Sequence, residues 1–426
     1  MSEMKPILFI VPQPFFELRG SSFRVLATIV ALTELGYELH LLTYPFGESR
    51  TVPGVKHIRC AGPFWIKSIP IGPSWRKMLV DVFLFLKSFS LCLRNDYAAI
   101  HGVEEGGVIA HFITRFTRTP YVFDMHSWMS EQLRDSRFIR STFFLRLFRI
   151  LELRCMRHAR VVMTVGPAYV NGVQALVPSV EAIAVEDRAL DLMPTSHNSP
   201  VINWREKLGL GESRIILYTG NFESYQGIDL LIRSFALAFP QRDAGHPVLV
   251  LVGGGDNEHP LVQKYRELSQ SLGLGSAIIF AGNQPSELLK QFLELAEVVV
   301  SPRITGENPP LKLYTYMESE KLIVATRIRS HTQILEDSCA LLAEPTEQAF
   351  ATALVHAVDG SPFNTARRKR CIEAAKKLLH EKYSRAAFNS RIAQVYRSLL
   401  GDESLTIARS EEKLDAEVHT PAVEPR

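Results

Sequence analysis

Short apolar runs alternate with stretches of helical periodicity through both halves of the chain. A run of four to six apolar residues without polar alternation is the pattern of a strand buried on both faces, and helices between such runs cover a parallel sheet. In the first half, residues 7–11, 38–43, 98–101, 121–124 and 161–165 read as strands, and 22–35 reads as a helix. The second half restarts at Arg214 with the strand IILYTG. Predicted helices over 228–239, 260–272 and 285–295 then separate VLVLVGGG, AIIFAG and VVVSP. The expectation is an α/β protein of two doubly wound domains. Between them DLMPTSHNSPV (191–201) is poor in apolar residues and marks a linker, and the chain after residue 400 is too polar to offset the entropy of ordering it. The expected division is a first domain 1–190, a linker 191–205, a second domain 206–382, a closing helix 383–400 and a disordered tail 401–426.

Composition narrows the class. With 426 residues, 46% of them hydrophobic, the chain is too long for one core and too apolar for a disordered protein. Lys and Arg number 48 against 45 Asp and Glu, a net charge of +3, so non-specific nucleic-acid binding is not expected and any basic surface must be local. Five cysteines without a C-x-x-C pair suggest neither a disulfide framework nor a zinc site, and a reducing cytosol is the expected compartment. The first apolar run is broken by Pro12 and Pro14, too short for a signal-peptide core.

Two stretches of the first domain stand apart. Eight arginines (134, 137, 140, 146, 149, 154, 157 and 160) alternate with Phe, Leu and Ile against only Asp135 and Glu152. Upstream, the stretch from Trp65 to Leu93 is strongly apolar but interrupted by Pro70, Pro73, Asp81 and Lys87, so it does not span a bilayer. Such segments either pack on the sheet or lie in a membrane interface, where anionic lipid contributes roughly 1 kcal/mol per basic residue. The second option makes the protein peripheral on the inner face of the membrane.

Candidate chemistry begins with SPRITGENPPLKLYTYM (301–317), which follows a buried strand and opens a helix at a sheet's carboxyl edge, where ligands bind in such folds. Asn308 is expected to cap, the two prolines lack N–H groups, and the first free donors are those of Leu311 and Lys312 at a positive helix end. Arg303 and Lys312 add full charges, so the loop suits a diphosphate. The turn YTGNFESYQG (218–227) carries Gly220 and Gly227 but is not a dinucleotide fingerprint, and VGGGD (252–256) is not a P-loop. Near the amino terminus, Arg19-Gly20-Ser21-Ser22 forms another strand-to-helix turn in which glycine permits close approach of a ligand.

RGSSFRVLATIVALTELGYELHLLTY, TPYVFDMHSWMSEQL, LYTGNFESYQGIDLLIRSF, LVLVGGG and SPRITGENPPLKLYTYMESEKLIVATRIRSHTQIL occur in the order found in family 4 glycosyltransferases. The chain resembles that family over most of residues 5–400. The resemblance implies a GT-B fold: two facing Rossmann-like domains with parallel sheets and a C-terminal helix crossing back to the first. It implies a retaining enzyme that uses a nucleoside diphosphate sugar, without cofactor or obligatory metal. Gly20, with Ser21, matches the loop that approaches the donor diphosphate. His126 matches the active-site histidine that contacts the transferred sugar, and Glu307 the first of two glutamates spaced eight apart, which holds a sugar hydroxyl. Glu104 and Glu105 have no matching role.

Three positions depart from the pattern. Asn221 and Gln226 stand where many members carry the Arg and Lys that bind the diphosphate, leaving Arg303 and Lys312 as the replacement pair. Thr315 stands where the second glutamate usually bonds the ribose. An Asn-Pro-Pro-Leu-Lys loop points to a variant subset of the family. The expected catalytic residues are His126, Glu307 and Lys312. Donor binding is assigned to Gly20, Ser21, Gly220, Asn221, Arg303, Asn308, Leu311, Lys312 and Thr315. The resemblance implies front-face attack with the leaving phosphate as base, and closure about the linker to exclude water. The expected reaction is hexosyl transfer to a glycan or lipid-linked saccharide in polysaccharide or lipopolysaccharide assembly. A non-catalytic sugar-nucleotide-binding scaffold of a glycan assembly complex, favoured by the missing charges, and a GT-B epimerase or hydrolase stay open.

Overall fold

The computed structural model describes residues 5–16, 20–48, 51–70, 72–135, 141–189, 201–240, 246–256 and 258–401. Arg19, Arg137 and Arg140, the linker 191–200 and the tail 402–426 lie outside the described residues. The chain divides into two units, Met1–Asp187 with Ala386–Arg426, and Arg188–Arg385.

The first unit is a seven-stranded parallel sheet of β1 (Ile7–Val11), β2 (Leu39–Thr43), β3 (Val55–Arg59), β4 (Ala99–Val103), β5 (Tyr121–Met125), β6 (Val161–Thr164) and β7 (Glu181–Ala184), in the order β3-β2-β1-β4-β5-β6-β7. The central strands β1, β2, β4 and β5 are buried at every position, because helices cover both faces. β3 and β7 were not expected from the sequence. They are edge strands, VKHIR and EAIA, half-exposed and without an unbroken apolar run. The predicted helix 22–35 forms two residues earlier, as Gly20–Glu34.

The helix Arg385–Leu400 belongs to this first unit although it ends the described chain. Phe388, Ile392, Val395, Tyr396 and Leu399 recur at helical spacing and pack with β1 and the helix Gly20–Glu34. Its Tyr396 hydroxyl lies 2.9 Å from Nδ1 of His101 on β4, and both groups are fully buried.

The second unit is a six-stranded parallel sheet of β8 (Ile215–Thr219), β9 (Val248–Val252), β10 (Ile278–Gly282), β11 (Val298–Ser301), β12 (Leu322–Thr326) and β13 (Leu341–Ala343), in the order β10-β9-β8-β11-β12-β13. Trp204 packs on Phe292 in its core, with the indole N–H donating to Gln291 Oε1 at 3.0 Å. Residues at the end of the expected linker are therefore core residues, and the second unit begins before residue 206.

Replacing Tyr396 by Phe removes the one group that His101 Nδ1 meets among the described residues and leaves a buried acceptor unpaired. The expected loss is about 1–3 kcal/mol, read as a lower unfolding midpoint; an unchanged midpoint contradicts the role given to this bond.

Candidate functional site

In the first unit the site is built on the carboxyl ends of β1, β4 and β5. Asp124, 1% exposed, receives His101 Nε2 at 3.3 Å and His126 Nε2 at 3.1 Å on the same oxygen, with Arg24 Nη2 at 3.8 Å from the other. Burial works against its charge, but His126, Arg24 and His101 outweigh it and hold the carboxyl well below its ordinary range. An ionised carboxylate only accepts, so both histidines present Nε2–H to it, and His101 Nδ1 accepts from Tyr396. Burial pushes His101 down toward the neutral form. His126 is also desolvated, yet the Asp124 charge and hydrogen bond more than compensate and raise it.

Glu104 completes the cluster. Its carboxylate accepts from the His126 backbone N–H at 3.0 Å and the Ser127 hydroxyl at 3.3 Å. Burial pushes this carboxyl up to about 7, against the pull of His126. The backbone at Glu104 has φ +50°, a conformation that L residues avoid and that surrounding contacts must hold. Glu105 points elsewhere, to an ion pair with Lys77. Gly20, exposed, opens its helix, and the Ser21 hydroxyl donates to Gln13 Oε1 at 2.8 Å. The structure therefore brings His126 together with Glu104, Asp124, His101 and Arg24, and fastens Ser21 to Gln13.

In the second unit two loops meet. The turn after β8 and the loop after β11 are joined by Ile304 N–H to Tyr225 O at 2.9 Å and by the Arg303 guanidinium over the Tyr225 ring at 5.1 Å. Gly227, at φ +70°, lies against the Pro302 carbonyl, where a Cβ would overlap. Lys312 Nζ is 3.3 Å from Gln226 Oε1 and 4.0 Å from the centre of the Tyr218 ring. A Cβ on Gly220, whose φ is +137°, would stand 2.9 Å from that nitrogen. Among the described residues no carboxylate is within ion-pair distance of Lys312. Burial first, and then Arg303, push its ammonium well below the ordinary lysine range. Buried neutral His331, held down to about 4 by desolvation, braces this end through Ser301 Oγ at 3.0 Å and the Thr326 carbonyl at 2.7 Å, while Thr326 Oγ1 donates to the Arg303 carbonyl.

The loop 301–317 differs from expectation in its cap. The helix is Lys312–Glu318, its preceding residue Leu311 is itself in helical geometry, and no side chain caps it. Asn308 instead gives its carbonyl to Arg303 Nη1 at 2.8 Å, and Arg303 Nε donates to the Thr305 carbonyl at 2.8 Å. Arg303 thus shapes the loop besides charging it. Glu307 is exposed, pairs with Arg329 at 3.3 Å and stands apart from the Lys312 cluster in its bonding. Thr315 is 2% exposed with a buried hydroxyl that meets no partner among the described residues, and so does not present a hydroxyl to solvent. Asn221 is exposed, and its carbonyl accepts from the Tyr218 hydroxyl at 2.6 Å. Gly220, Asn221, Gln226, Arg303 and Lys312 converge; Glu307 and Thr315 do not join them.

The model of "Glycosyl transferase 4-like domain" matches residues 19–185, and that of "Glycosyl transferases group 1" matches 201–378. Sucrose-phosphate synthase from Thermosynechococcus elongatus superposes on 93% of this chain and 99% of its own, with a TM-score of 0.72 and 19% identity. The chain belongs to the GT4-type glycosyltransferases of the GT-B fold. HepE from Anabaena, solved with UDP-glucose, gives a TM-score of 0.67 at 16% identity, covering 93% of this chain and 100% of that one. At these identities the likeness is one of fold. The alpha-D-kanosaminyltransferase of Streptomyces kanamyceticus is 25% identical over 196 residues, 46% of this chain and 48% of that protein. This GT4-type chain thus spans about half the length of the curated relatives it matches.

Residues absent from the sequence-based site are Gln13, Arg24, His101, Tyr218 and His331. Each is a polar group inside or beside an apolar element, and only the topology reveals its partner. Glu104 has a measurable signature. A carboxyl raised from 4.5 to about 7 in the fold binds more protons folded than unfolded, so its contribution to stability is present below pH 4.5 and lost as pH rises through 7. Glu104→Gln is expected to flatten the fall in stability between those pH values relative to the wild type, measured by urea unfolding across pH; identical pH profiles contradict the shift.

Proposed function

We propose that this chain transfers a hexosyl group, with retention at the anomeric carbon, from a nucleoside diphosphate sugar to a saccharide or lipid-linked saccharide acceptor. One observation carries the reading: Lys312 and Arg303 are set side by side at the turn of Gly220 with no carboxylate paired to Lys312 among the described residues. Two neighbouring cations, one stripped of water, repel each other and disfavour the charged lysine. A diphosphate relieves both terms, because its oxygens supply negative charge and accept from Nζ and the guanidinium. The same cations then stabilise the charge that develops on the leaving diphosphate as the glycosidic bond breaks. Gly220, φ +137°, leaves room for that approach where a side chain would meet Lys312. The solved HepE complex with UDP-glucose supports a nucleoside diphosphate sugar as the donor class.

The first unit contributes His126. Its ring is 12% exposed, so one edge meets solvent while Nε2 is fixed on Asp124, and the Glu104 bond to its backbone fixes the loop that carries it. A histidine raised toward the charged form offers a positive, oriented group to the hydroxyls of the transferred sugar. Retention and front-face attack are part of this proposal, and the family pattern supports them. The neutral Asn221, Gln226 and Thr315 favour the scaffold reading instead, which has donor binding without turnover.

The test is a thermal-shift series with UDP, GDP, ADP, CDP and dTDP sugars, followed by anomeric assignment of any product by proton NMR. One nucleotide class is expected to stabilise the protein, and Lys312→Ala is expected to weaken its binding roughly 10–100-fold, the worth of a charge-assisted hydrogen bond. His126→Ala is expected to keep donor binding and lower turnover by at least about 100-fold. Stabilisation by none of the five, or equal shifts in Lys312→Ala, contradicts the assignment; an inverted product contradicts retention.

A further inference from the structure

The helices Trp75–Arg94, Glu105–Thr117 and Thr142–His158 lie side by side over one face of the first sheet, with Val80, Leu84, Ile113, Cys155 and Met156 turned into the core. Burial of one stripe leaves the opposite stripe of an amphipathic helix to be polar. Here it is not. On the first helix Trp75, Met78, Val82, Leu86 and Leu93 are 53–66% exposed and fall within one narrow arc opposite Val80 and Leu84. On the middle helix Phe116 is 73% exposed and meets Phe89 edge-on. On the third, Phe143, Leu147 and Ile150 are exposed along one arc. In the loop before the first helix, Phe64 and Trp65 are also exposed and meet edge to face. A contiguous surface of this kind marks an interaction site and not scattered exposed residues.

The exposed charges within these three helices are of one sign. Arg146, Arg154 and Arg157 share the arc of Leu147 on the third helix, Arg115 neighbours Phe116, and the Arg76 guanidinium lies over the Trp75 ring. The acidic residues within the three helices are Asp81, Glu105 and Glu152, and none of them is exposed. Glu105 is bound to Lys77, Asp81 accepts from the Tyr44 hydroxyl, and Glu152 accepts from Met129 N–H and the Ser130 hydroxyl. A second copy docking through the same patch would set arginines against arginines, because a two-fold interface brings a patch onto itself. Trp and Phe with Arg around them are instead the composition of a helix face lying in a lipid interface, with apolar groups among the acyl chains and guanidinium groups at anionic headgroups. Among the described residues no helix is long and apolar enough to cross a membrane, so the surface suits a helix face lying along the bilayer.

We propose that this three-helix face seats the first unit on an anionic phospholipid bilayer. The amino-terminal ends of these helices, with Trp75 and Phe143, lie toward the strand edge that carries His126, as the antiparallel run of a crossover helix requires. Resting on the glycosyl-transfer reading, this orientation makes the acceptor one that is held in the membrane.

The test uses the full chain with sedimenting vesicles of phosphatidylcholine alone and of phosphatidylcholine mixed with phosphatidylglycerol. Binding is expected to the mixed vesicles and not to the neutral ones. Arg146→Glu with Arg154→Glu is expected to weaken it by at least about tenfold, and Trp75→Ser with Leu147→Ser to weaken it as well. Both pairs are exposed, so the unfolding midpoint and the nucleotide-induced thermal shift of the variants are expected to match the wild type. Equal binding to both vesicle types, no binding to either, or variants that bind as the wild type overturn the proposal. So does a dimer in light scattering that Leu147→Ser dissolves without any vesicle binding. Vesicle binding without any nucleotide-induced shift leaves the face standing and defeats the glycosyl-transfer reading; the reverse result does the opposite.

Discussion

An ionised carboxylate in a desolvated position is tolerated only where its charge is compensated, and the first unit is arranged around one such group. Asp124 ends a fully buried strand and draws in Arg24 from the helix after β1, His101 from β4 and His126 from its own loop. Arg24 is held from behind by the Val185 carbonyl at 2.8 Å and Asp187 at 2.6 Å, which ties the segment after β7 to the first helix. His101 then requires Tyr396, and so the chain must return from the second unit to finish the first. Breaking one member of such a network leaves another charge uncompensated, at a cost of about 3–5 kcal/mol in comparable buried pairs. The cluster orients His126 and stabilises the fold by the same contacts.

The second unit has the opposite electrostatics. Where Asp124 is surrounded by donors, Lys312 has an amide, an aromatic ring and another cation for neighbours. The charged cluster around Glu297 in the same unit is paired. Arg214 and Arg368 both bind Glu297, at 2.5 Å each, and together hold its carboxyl down to about 2. A chain that neutralises Arg214 and Arg368 thus leaves Lys312 without a carboxylate, among the described residues, at the turn of Gly220. The carboxyl edge of a parallel sheet is where ligands bind in such folds, and perturbed groups cluster at such sites.

The sequence made parts of this legible and hid others for physical reasons. Central strands were readable because burial on both faces leaves an apolar run, whereas VKHIR and EAIA lie at sheet edges and keep polar positions. Arg303 and Lys312 were readable because two cations after a buried strand are conspicuous in a chain of balanced charge. The cap was misread at Asn308, since the residue before the helix is Leu311 in helical geometry, and the Asn308 carbonyl accepts from Arg303. His101 and Tyr396 are 295 positions apart, and no local pattern announces that one satisfies the other. Glu104 was noticed without a role, because its meaning depends on a backbone N–H 22 residues away. Glu307 was placed by family pattern, and in this structure it is an exposed partner of Arg329.

The central claim is that the loops after β8 and β11 form a diphosphate site whose charge partner is Lys312. Isothermal titration of a nucleoside diphosphate against the corresponding monophosphate, on the wild type and on Lys312→Met, tests it most directly. The wild type is expected to prefer the diphosphate by at least about tenfold, the value of one additional charge-assisted contact, and the preference is expected to collapse in the variant. Equal affinity for the two ligands in the wild type, or an undiminished preference in Lys312→Met, would contradict it.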